Sequence, residues 1–496
     1  MNPPTSILII GAGIAGLSAA IGLKSAGFEV TLLEKNHHYG GKLNQLETEG
    51  FRFDLGPSIL TMPHLFRQLF ARANRSFDDY VDIQELPLQW RSFFPDGEAI
   101  DLTADMEHIN NHNDGLTPED AEQLGGYLDY GRRMYELTES GYFAAGLEDI
   151  KGVIQHYGIV KALRGFDMFS SMDDVVTRHL DNPYLREIMN FFVKYVGSSP
   201  YRAPAVLNLL PYIQYAFGLW YISGGMYRLA DGLYQLADEL GVTFHFEQEV
   251  ISAETDGSWV SHVVTADGAT FTADVFLSNM EVIPFYTTIT EEPAAFLQQY
   301  RAFEPSCSGY VLHLGVNRTY PQLAHHNFFF SGDSRMHFKS VFEDYQLPQD
   351  PTIYLVATTR TDPDSAPPGC ENIKILPHIP HVQETPFEAA EYQAFEEKTL
   401  VKLERMGLTD LRQHIIYKDI WWPEDIRDTY NSNRGSIYGV VSDKDKNRGF
   451  KAPKKSNKYD NLYFAGGSVN PGAGMPMVCL SGQLAADLIM EELSNS

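Results

Sequence analysis

Gly11, Gly13 and Gly16 stand in the pattern Gly-x-Gly-x-x-Gly, and Glu34 follows 23 positions after the first of them. Each residue type has a job at that spacing. Gly11 permits a tight turn, Gly13 lets the backbone approach a pyrophosphate, and Gly16 lets a helix lie close against a strand. The N–H groups that open such a helix, at Ile14 and Ala15, offer phosphate a positive dipole end. Glu34, with Lys35 beside it, can accept hydrogen bonds from both hydroxyls of a ribose, and its charge disfavours an added 2′-phosphate. The chemistry this predicts is dinucleotide binding.

Those residues need a strand, a turn and a helix in that order. Ser6–Ile10 is a continuous apolar run rich in isoleucine, which predicts a short buried strand. A helical stretch follows to about Ala26, where Gly27 stops it, and 28–33 predicts a second strand with Glu34 at its tip. A comparable arrangement closes the chain. There 461–465 (NLYFA) predicts a strand, Gly466-Gly467-Ser468 a glycine turn, and 471–476 (PGAGMP) a loop ending on Met475 and Pro476 and feeding a helix over about 477–492. Between the two ends, Gly224-Gly225-Met226 precedes an amphipathic helix with Leu229, Leu233, Leu236 and Leu240 on one face. The stretch 242–250 then alternates into a strand, and 274–278 (DVFLS) predicts a buried one. Turns of one site at opposite ends of the chain mean a discontinuous domain.

Two long insertions separate these segments. The first, 76–222, opens strand-like over 84–102 and then turns helical. Ile150, Val153, Ile154 and Tyr157 share a helical face there, with Lys151, Lys161 and Arg164 nearby. The second, 284–438, carries β-rich runs at 308–316, 327–330, 352–357 and 372–377, a sheet able to wall a ligand tunnel. Lys444, Lys446, Arg448, Lys451, Lys454, Lys455 and Lys458 form a basic stretch diluted by Asp443 and Asp445. It reads as a solvated loop or as a contact with anionic lipid headgroups. His325-His326 invites a metal, but neighbours on a strand point to opposite faces, which predicts a strand edge or a tunnel lining. No zinc, di-iron or haem spacing and no Ser–His–Asp arrangement is legible, so no metal is expected and the hard chemistry falls to an organic cofactor.

The totals bound the rest. A chain of 496 residues implies two or three domains. A net charge of −27 argues against a nucleic-acid partner, since phosphate contact needs a basic face. Cys307, Cys370 and Cys479 are too far apart for a cysteine metal site and fit a reducing compartment. No basic residue precedes the first apolar run, so no secretory signal is expected, and the expected location is cytoplasmic.

Gly40-Gly41-Lys42 and 51–57 (FRFDLGP) resemble the flavoprotein amine oxidase and carotenoid desaturase superfamily. The resemblance implies FAD, with Gly41, Lys42, Gly56, Pro57 and Ser58 as contacts and the backbone of Val250 beside the adenine. Lys42 stands where the family usually has arginine, a point charge in place of a planar fork. Gly466, Gly467, Met475 and Pro476 would lie near the flavin ring, where a helix start suits the negative charge of the reduced form.

Longer blocks at 53–66, 89–97 (QWRSFFPDG), 195–207 (YVGSSPYRAPAVL), 323–330 (LAHHNFFF), 432–441 and 461–483 are similar to those of the carotenoid-modifying members. The fold implied is α/β. A Rossmann-like FAD-binding domain (1–75, 224–284 and 439–496) joins a β-sheet substrate domain (76–105 and 285–438) and a helical, membrane-contacting insertion (106–223). The activity implied is oxidation of the terminal methyl of an apolar linear C30 carotenoid to an aldehyde, with dioxygen or another electron acceptor, at a peripheral membrane surface. A desaturase acting on a saturated precursor and a prenyl-lipid carrier without chemistry are the alternatives. Arg91, Tyr201, Arg202 and His325, drawn from the distinguishing blocks, are the candidates for the substrate cavity.

Overall fold

The computed structural model describes residues 5–159, 161 and 165–495, so Arg164 lies outside the described residues. A five-stranded parallel sheet carries the first site. Its order is Leu462–Phe464, Val275–Ser278, Ser6–Ile10, Glu29–Leu33 and Thr243–His245, which sets the last strand of the chain two places from the first. Both faces of the sheet are covered: helices pack on one, and Val250–Asp256, Trp259–Thr265 and the turns 282–289 pack on the other. Helix Ile14–Ser25 packs against both Arg228–Glu239 and the C-terminal helix Met475–Asn495. The crossing with Met475–Asn495 is close: a Cβ on Gly482 would lie 2.3 Å from the Ala15 carbonyl oxygen. Leu229, Leu233 and Leu236 are fully buried on one face of Arg228–Glu239, each worth about 1.5–3 kcal/mol of burial.

The alternating run 242–250 is two strands rather than one. Thr243–His245 joins the parallel sheet, while Val250–Asp256 leaves it to pair antiparallel with Trp259–Thr265. Glu247, at φ +55°, turns the chain between them, and the N–H of Gln248 bonds back to the Glu34 carbonyl. Alternation shows which face a side chain takes but not where pairing ends.

A second, larger sheet runs in the order Ile415–Trp421, Val311–Val316, Glu371–Ile379, Ile353–Val356, His326–Phe329, Leu88–Phe93 and Ala99–Thr103, with Ser308–Gly309 also on Glu371–Ile379. Every pair is antiparallel except His326–Phe329 with Leu88–Phe93. Side chains alternate between its faces. Leu312, Leu314, Ile373 and Ile375 join a core with Tyr392, Phe395 and Leu403 of helix Ala389–Arg405. Val311, Tyr354, Lys374 and Leu376 line a cavity instead.

The helical segment includes Pro118–Thr138, Ile150–Tyr157, Met172–His179, Pro183–Phe191 and Leu209–Phe217. Thr117 with Asp120 and Ser171 with Asp174 form reciprocal capping boxes that fix two of the starts. Ile150–Tyr157 differs from the others in burying none of its residues. Among the described residues, no helix is long and apolar enough to cross a membrane.

Candidate functional site

Where the first and last segments meet, a cavity of about 350 Å³ opens between the parallel sheet and the large sheet. Gly11, at φ +100°, makes the turn after Ser6–Ile10, and a Cβ on Gly16 would lie 2.1 Å from the Gly11 carbonyl oxygen. That closeness brings the start of helix Ile14–Ser25 to the cavity with neither a side-chain cap nor an acidic residue in its first turn. Glu34 is buried at the tip of Glu29–Leu33; its carboxylate accepts from the N–H of Ala12 at 2.8 Å and of Asn36 at 2.9 Å. Lys35 turns aside to Asn431 Oδ1 at 2.8 Å. Lys42 donates to the Ser436 carbonyl at 2.9 Å and pairs with Glu281 at 3.2 Å.

Of the cofactor residues expected from the sequence, Gly11, Gly13, Ile14, Ala15, Glu34, Lys35, Gly41, Lys42, Gly56, Pro57, Ser58, Val250, Gly466, Gly467 and Met475 line this cavity. Gly16 and Pro476 do not: the first is consumed by helix packing, and the second lines a neighbouring cavity. An uncapped helix start and a buried acid at a strand tip fit the adenosine and pyrophosphate of a dinucleotide. The far end is walled by Val311, Tyr354, Leu376 and the glycine turn 466–467, which fits the flavin ring of FAD.

Asn279 is a residue sequence reading missed. Its Oδ1 accepts from the Gly16 N–H at 3.2 Å and its Nδ2 donates to the Ala465 carbonyl at 3.1 Å, tying the two glycine turns together. Its place at the end of the buried strand Val275–Ser278 was the available signal. Lys374 was missed too. It reaches the Gly56 carbonyl and Ser58 Oγ from inside an apolar strand, and burial lowers its pKa to about 8 against the pull of Asp54. Asp54, fully buried, is pushed up to about 6 by desolvation, although Lys374 and the Met226 N–H favour its charge.

A second, apolar cavity of about 490 Å³ adjoins the first, and the two share Ile59, Tyr195, Ala473, Gly474 and Met475. Its walls come from the helical segment, including Tyr142, Phe143, Val206, Leu210 and Ile213, and from 471–477. The large sheet contributes Val311, Tyr354, Lys374 and Leu376 to the first cavity and no residue to the second. Of its lining residues, Phe169 is 84% exposed and Met168 is exposed too; Ile154 and Ile159, outside the lining, are also exposed.

Arg91, Tyr201, Arg202 and His325 line neither cavity. Each has a partner within the scaffold. Arg91 forms a two-pronged bond to Asp101 and another to the Gln322 carbonyl. Tyr201 lies under the Arg335 guanidinium at 4.5 Å, and Arg202 pairs with Asp443 at 3.4 Å. His325 bonds Thr361 Oγ1 at 2.7 Å. The blocks were informative through their neighbours: strand alternation sends Trp90 and Phe328 inward, where they flank Lys194.

The histidine pair departs from expectation as well. His326 belongs to an interior strand, not an edge, and its ring stands 4.4 Å from that of His325. His325 escapes strict alternation because it precedes the strand His326–Phe329. No group of three metal-ligating side chains forms among the described residues.

The basic stretch is mostly paired within the fold. Lys446, Lys454, Lys455 and Lys458 pair with Glu304, Glu148, Glu492 and Glu292, and buried Lys451 donates to Ser442 Oγ at 2.8 Å. Most of its charge is thus matched by glutamates, while Arg448 stays exposed. Lys444 and Arg448 alone from that stretch reach the apolar cavity apart from Lys451, and Lys444 holds the Phe169 carbonyl at 3.3 Å.

The chain matches the family described as flavin containing amine oxidoreductase over residues 14–490. It is 53% identical to a 4,4'-diaponeurosporene oxygenase of Staphylococcus haemolyticus (strain JCSC1435), over 97% of this chain and 96% of that protein. It is 54% identical to a 4,4'-diapolycopene oxygenase of a Methylomonas sp, over 99% of each. Among solved structures, putrescine oxidase bound to putrescine aligns over 99% of both chains with a TM-score of 0.65 and 14% identity. Cyclohexylamine oxidase from Brevibacterium oxydans IH-35A aligns over 99% of this chain and 100% of that one, with a TM-score of 0.62 and 16% identity. At those identities the likeness is one of fold.

Proposed function

Because the chain belongs to the flavin-containing amine oxidoreductase family and is an FAD-dependent oxidoreductase, we propose that it oxidises the terminal methyl of a linear C30 carotenoid to an aldehyde. Its relatives named as diaponeurosporene and diapolycopene oxygenases support the substrate. The observation that carries the reading is the junction of the two cavities: an apolar channel opens into the FAD cavity at Ile59, Tyr195 and 473–475. That shape admits a long apolar chain end first, so that its last carbon and not its middle comes to the reacting centre.

In this reading Glu34 would hold the ribose, Gly11, Gly13, Ile14 and Ala15 with Gly41-Lys42 would hold the pyrophosphate, and 56–58 with 466–467 would hold the ring. FAD, when bound, would supply the redox chemistry, with dioxygen or another acceptor as the final oxidant. The protein's own contribution is placement and dryness. The apolar walls exclude water, and the start of helix Met475–Asn495 offers a positive dipole end where negative charge gathers. A terminal allylic methyl is activated by its own polyene, which spreads charge or spin along the chain. No side chain need act as a base to weaken that bond.

The protein works at a membrane surface in the cytoplasm. Met168 and Phe169 line the channel and are exposed, and Ile154 and Ile159 add exposed apolar surface on the same segment, with Lys151 and Lys161 there to meet anionic headgroups. A bilayer-dissolved carotenoid then passes into the channel without crossing water. The division into an FAD-binding part (1–75, 224–284 and 439–496), a sheet part (76–105 and 285–438) and a helical part (106–223) follows the same logic, with the helical part forming the channel and that exposed apolar surface.

The test supplies the FAD-loaded, lipid-reconstituted protein with diaponeurosporene or with diapophytoene, in separate reactions, and identifies products by mass. Gain of one oxygen and loss of two hydrogens from diaponeurosporene is expected. New double bonds in diapophytoene without oxygenated product would make the protein a desaturase, and recovery of both unchanged would make it a carrier.

A further inference from the structure

Five lysines are buried among the described residues, and four have conventional partners. Lys374 reaches the Gly56 carbonyl and Ser58 Oγ, Lys402 reaches Asp350 at 2.6 Å, Lys451 reaches Ser442 Oγ at 2.8 Å, and Lys454 reaches Glu148 at 2.5 Å. Lys194 has neither a hydrogen bond nor an ion pair among the described residues. Its Nζ sits in a cage of aromatic rings, 4.1 Å from the ring centre of Tyr354, 4.7 Å from Tyr195, 4.8 Å from Phe328 and 5.0 Å from Trp90. The residue lines the FAD cavity, and the adjacent Tyr195 lines both cavities. An amine that burial holds well below the usual lysine pKa, with no acid to restore its charge, is a nucleophile.

We propose that Lys194 captures the conjugated aldehyde as it forms, through an imine between its Nζ and the terminal carbon of the polyene. The inference rests on the reading that an aldehyde is made here. The nitrogen lone pair forms the new C–N bond while the carbonyl π pair moves to oxygen. The oxygen then departs as water with the two hydrogens that the nitrogen carried, leaving C=N, and water reverses the sequence for release. No oxidant or reductant enters. While the carbon is held this way it cannot form the hydrate through which an aldehyde is oxidised to an acid. Lys194 therefore sets the point at which oxidation stops.

The test uses all-trans-retinal as the aldehyde, added to the FAD-loaded protein with cyanoborohydride to fix any imine, followed by intact-mass and peptide analysis. One retinyl group per chain on the peptide carrying Lys194 is expected, falling at least tenfold in K194M and K194R. Flavin absorbance reports that each variant is folded, and K194R keeps a cation in the cage while removing the amine. A second arm runs the carotenoid reaction under the same trapping. Capture of retinal at Lys194 with no carotenoid oxidised leaves the inference standing and defeats the substrate reading. Carotenoid aldehyde released with Lys194 unmodified, or label spread over exposed lysines with Lys194 spared, overturns the inference.

Discussion

Replacing Gly56 with alanine should detach the cofactor without unfolding the protein. A Cβ at that position would lie 1.7 Å from the Lys42 carbonyl oxygen, 2.8 Å from its carbonyl carbon and 3.4 Å from Leu43 Cα. All three are backbone atoms, so no rotamer change relieves the overlap. The segment 41–43 must retreat from 56–58 by roughly 1.5 Å to reach even a tight contact, a strain of the kind that costs about 1–3 kcal/mol. Both segments line the FAD cavity, and Lys374 anchors the Gly56 carbonyl, so the cheaper response is for the cavity wall to open. At about 1.4 kcal/mol per tenfold, FAD affinity should fall by about 10- to 100-fold. The assay titrates apoprotein with FAD and follows the flavin fluorescence. Gly125→Ala is the control: it lies in helix Pro118–Thr138 with no atom within 4 Å of its Cβ, so it should leave FAD affinity unchanged and add up to about 1 kcal/mol of stability. An FAD affinity within twofold of the parent in Gly56→Ala would refute the reasoning.

Three further outcomes are expected. Ala473→Phe, at the junction of the two cavities, should leave FAD bound and abolish oxidation of the carotenoid; normal turnover in a flavin-replete variant would show that substrate takes another route. Phe169→Asp should weaken sedimentation with anionic vesicles severalfold while a small soluble aldehyde still reaches the cavity, and unchanged vesicle binding would remove the exposed apolar surface from the account. Asp54 titrates near 6 in the folded protein and near 3.8 unfolded, so the folded state holds its proton more tightly. The penalty for ionising it is absent below pH ~4, grows as pH rises, and is complete above pH ~6, reaching about 3 kcal/mol. Asp54→Asn should therefore gain stability over the parent as pH rises from 4 to 6 in urea unfolding, and a difference constant with pH would contradict that assignment.

The nucleotide end of the site was legible because its logic is local. A tight turn needs glycine, an uncapped helix start leaves N–H groups free for phosphate, and a strand tip places an acid, so Gly11, Gly13 and Glu34 announce themselves within one βαβ unit. The convergence of the chain ends was also readable, since Gly466-Gly467 follows a buried strand just as Gly11 does. The substrate side is different. Besides its chain neighbour Tyr195, Lys194 is enclosed by Trp90, Phe328 and Tyr354 from three separate strands, and no spacing encodes that meeting. Arg91 and His325 drew attention as polar residues in distinctive blocks, whereas the inward-facing residues of those blocks are the apolar ones beside them. The basic stretch misled for a related reason: a run of lysines shows charge, and only the fold reveals that Glu148, Glu292, Glu304 and Glu492 wait for them.

The most direct test of the account locates the new oxygen by NMR in the product that FAD-loaded, lipid-reconstituted protein makes from diaponeurosporene. An end-on channel predicts oxygen on a terminal methyl carbon and nowhere else along the chain. Oxygen at an interior carbon, or at many positions, would mean that the polyene does not meet the flavin by its tip, and the joined cavities would then lose the role assigned to them.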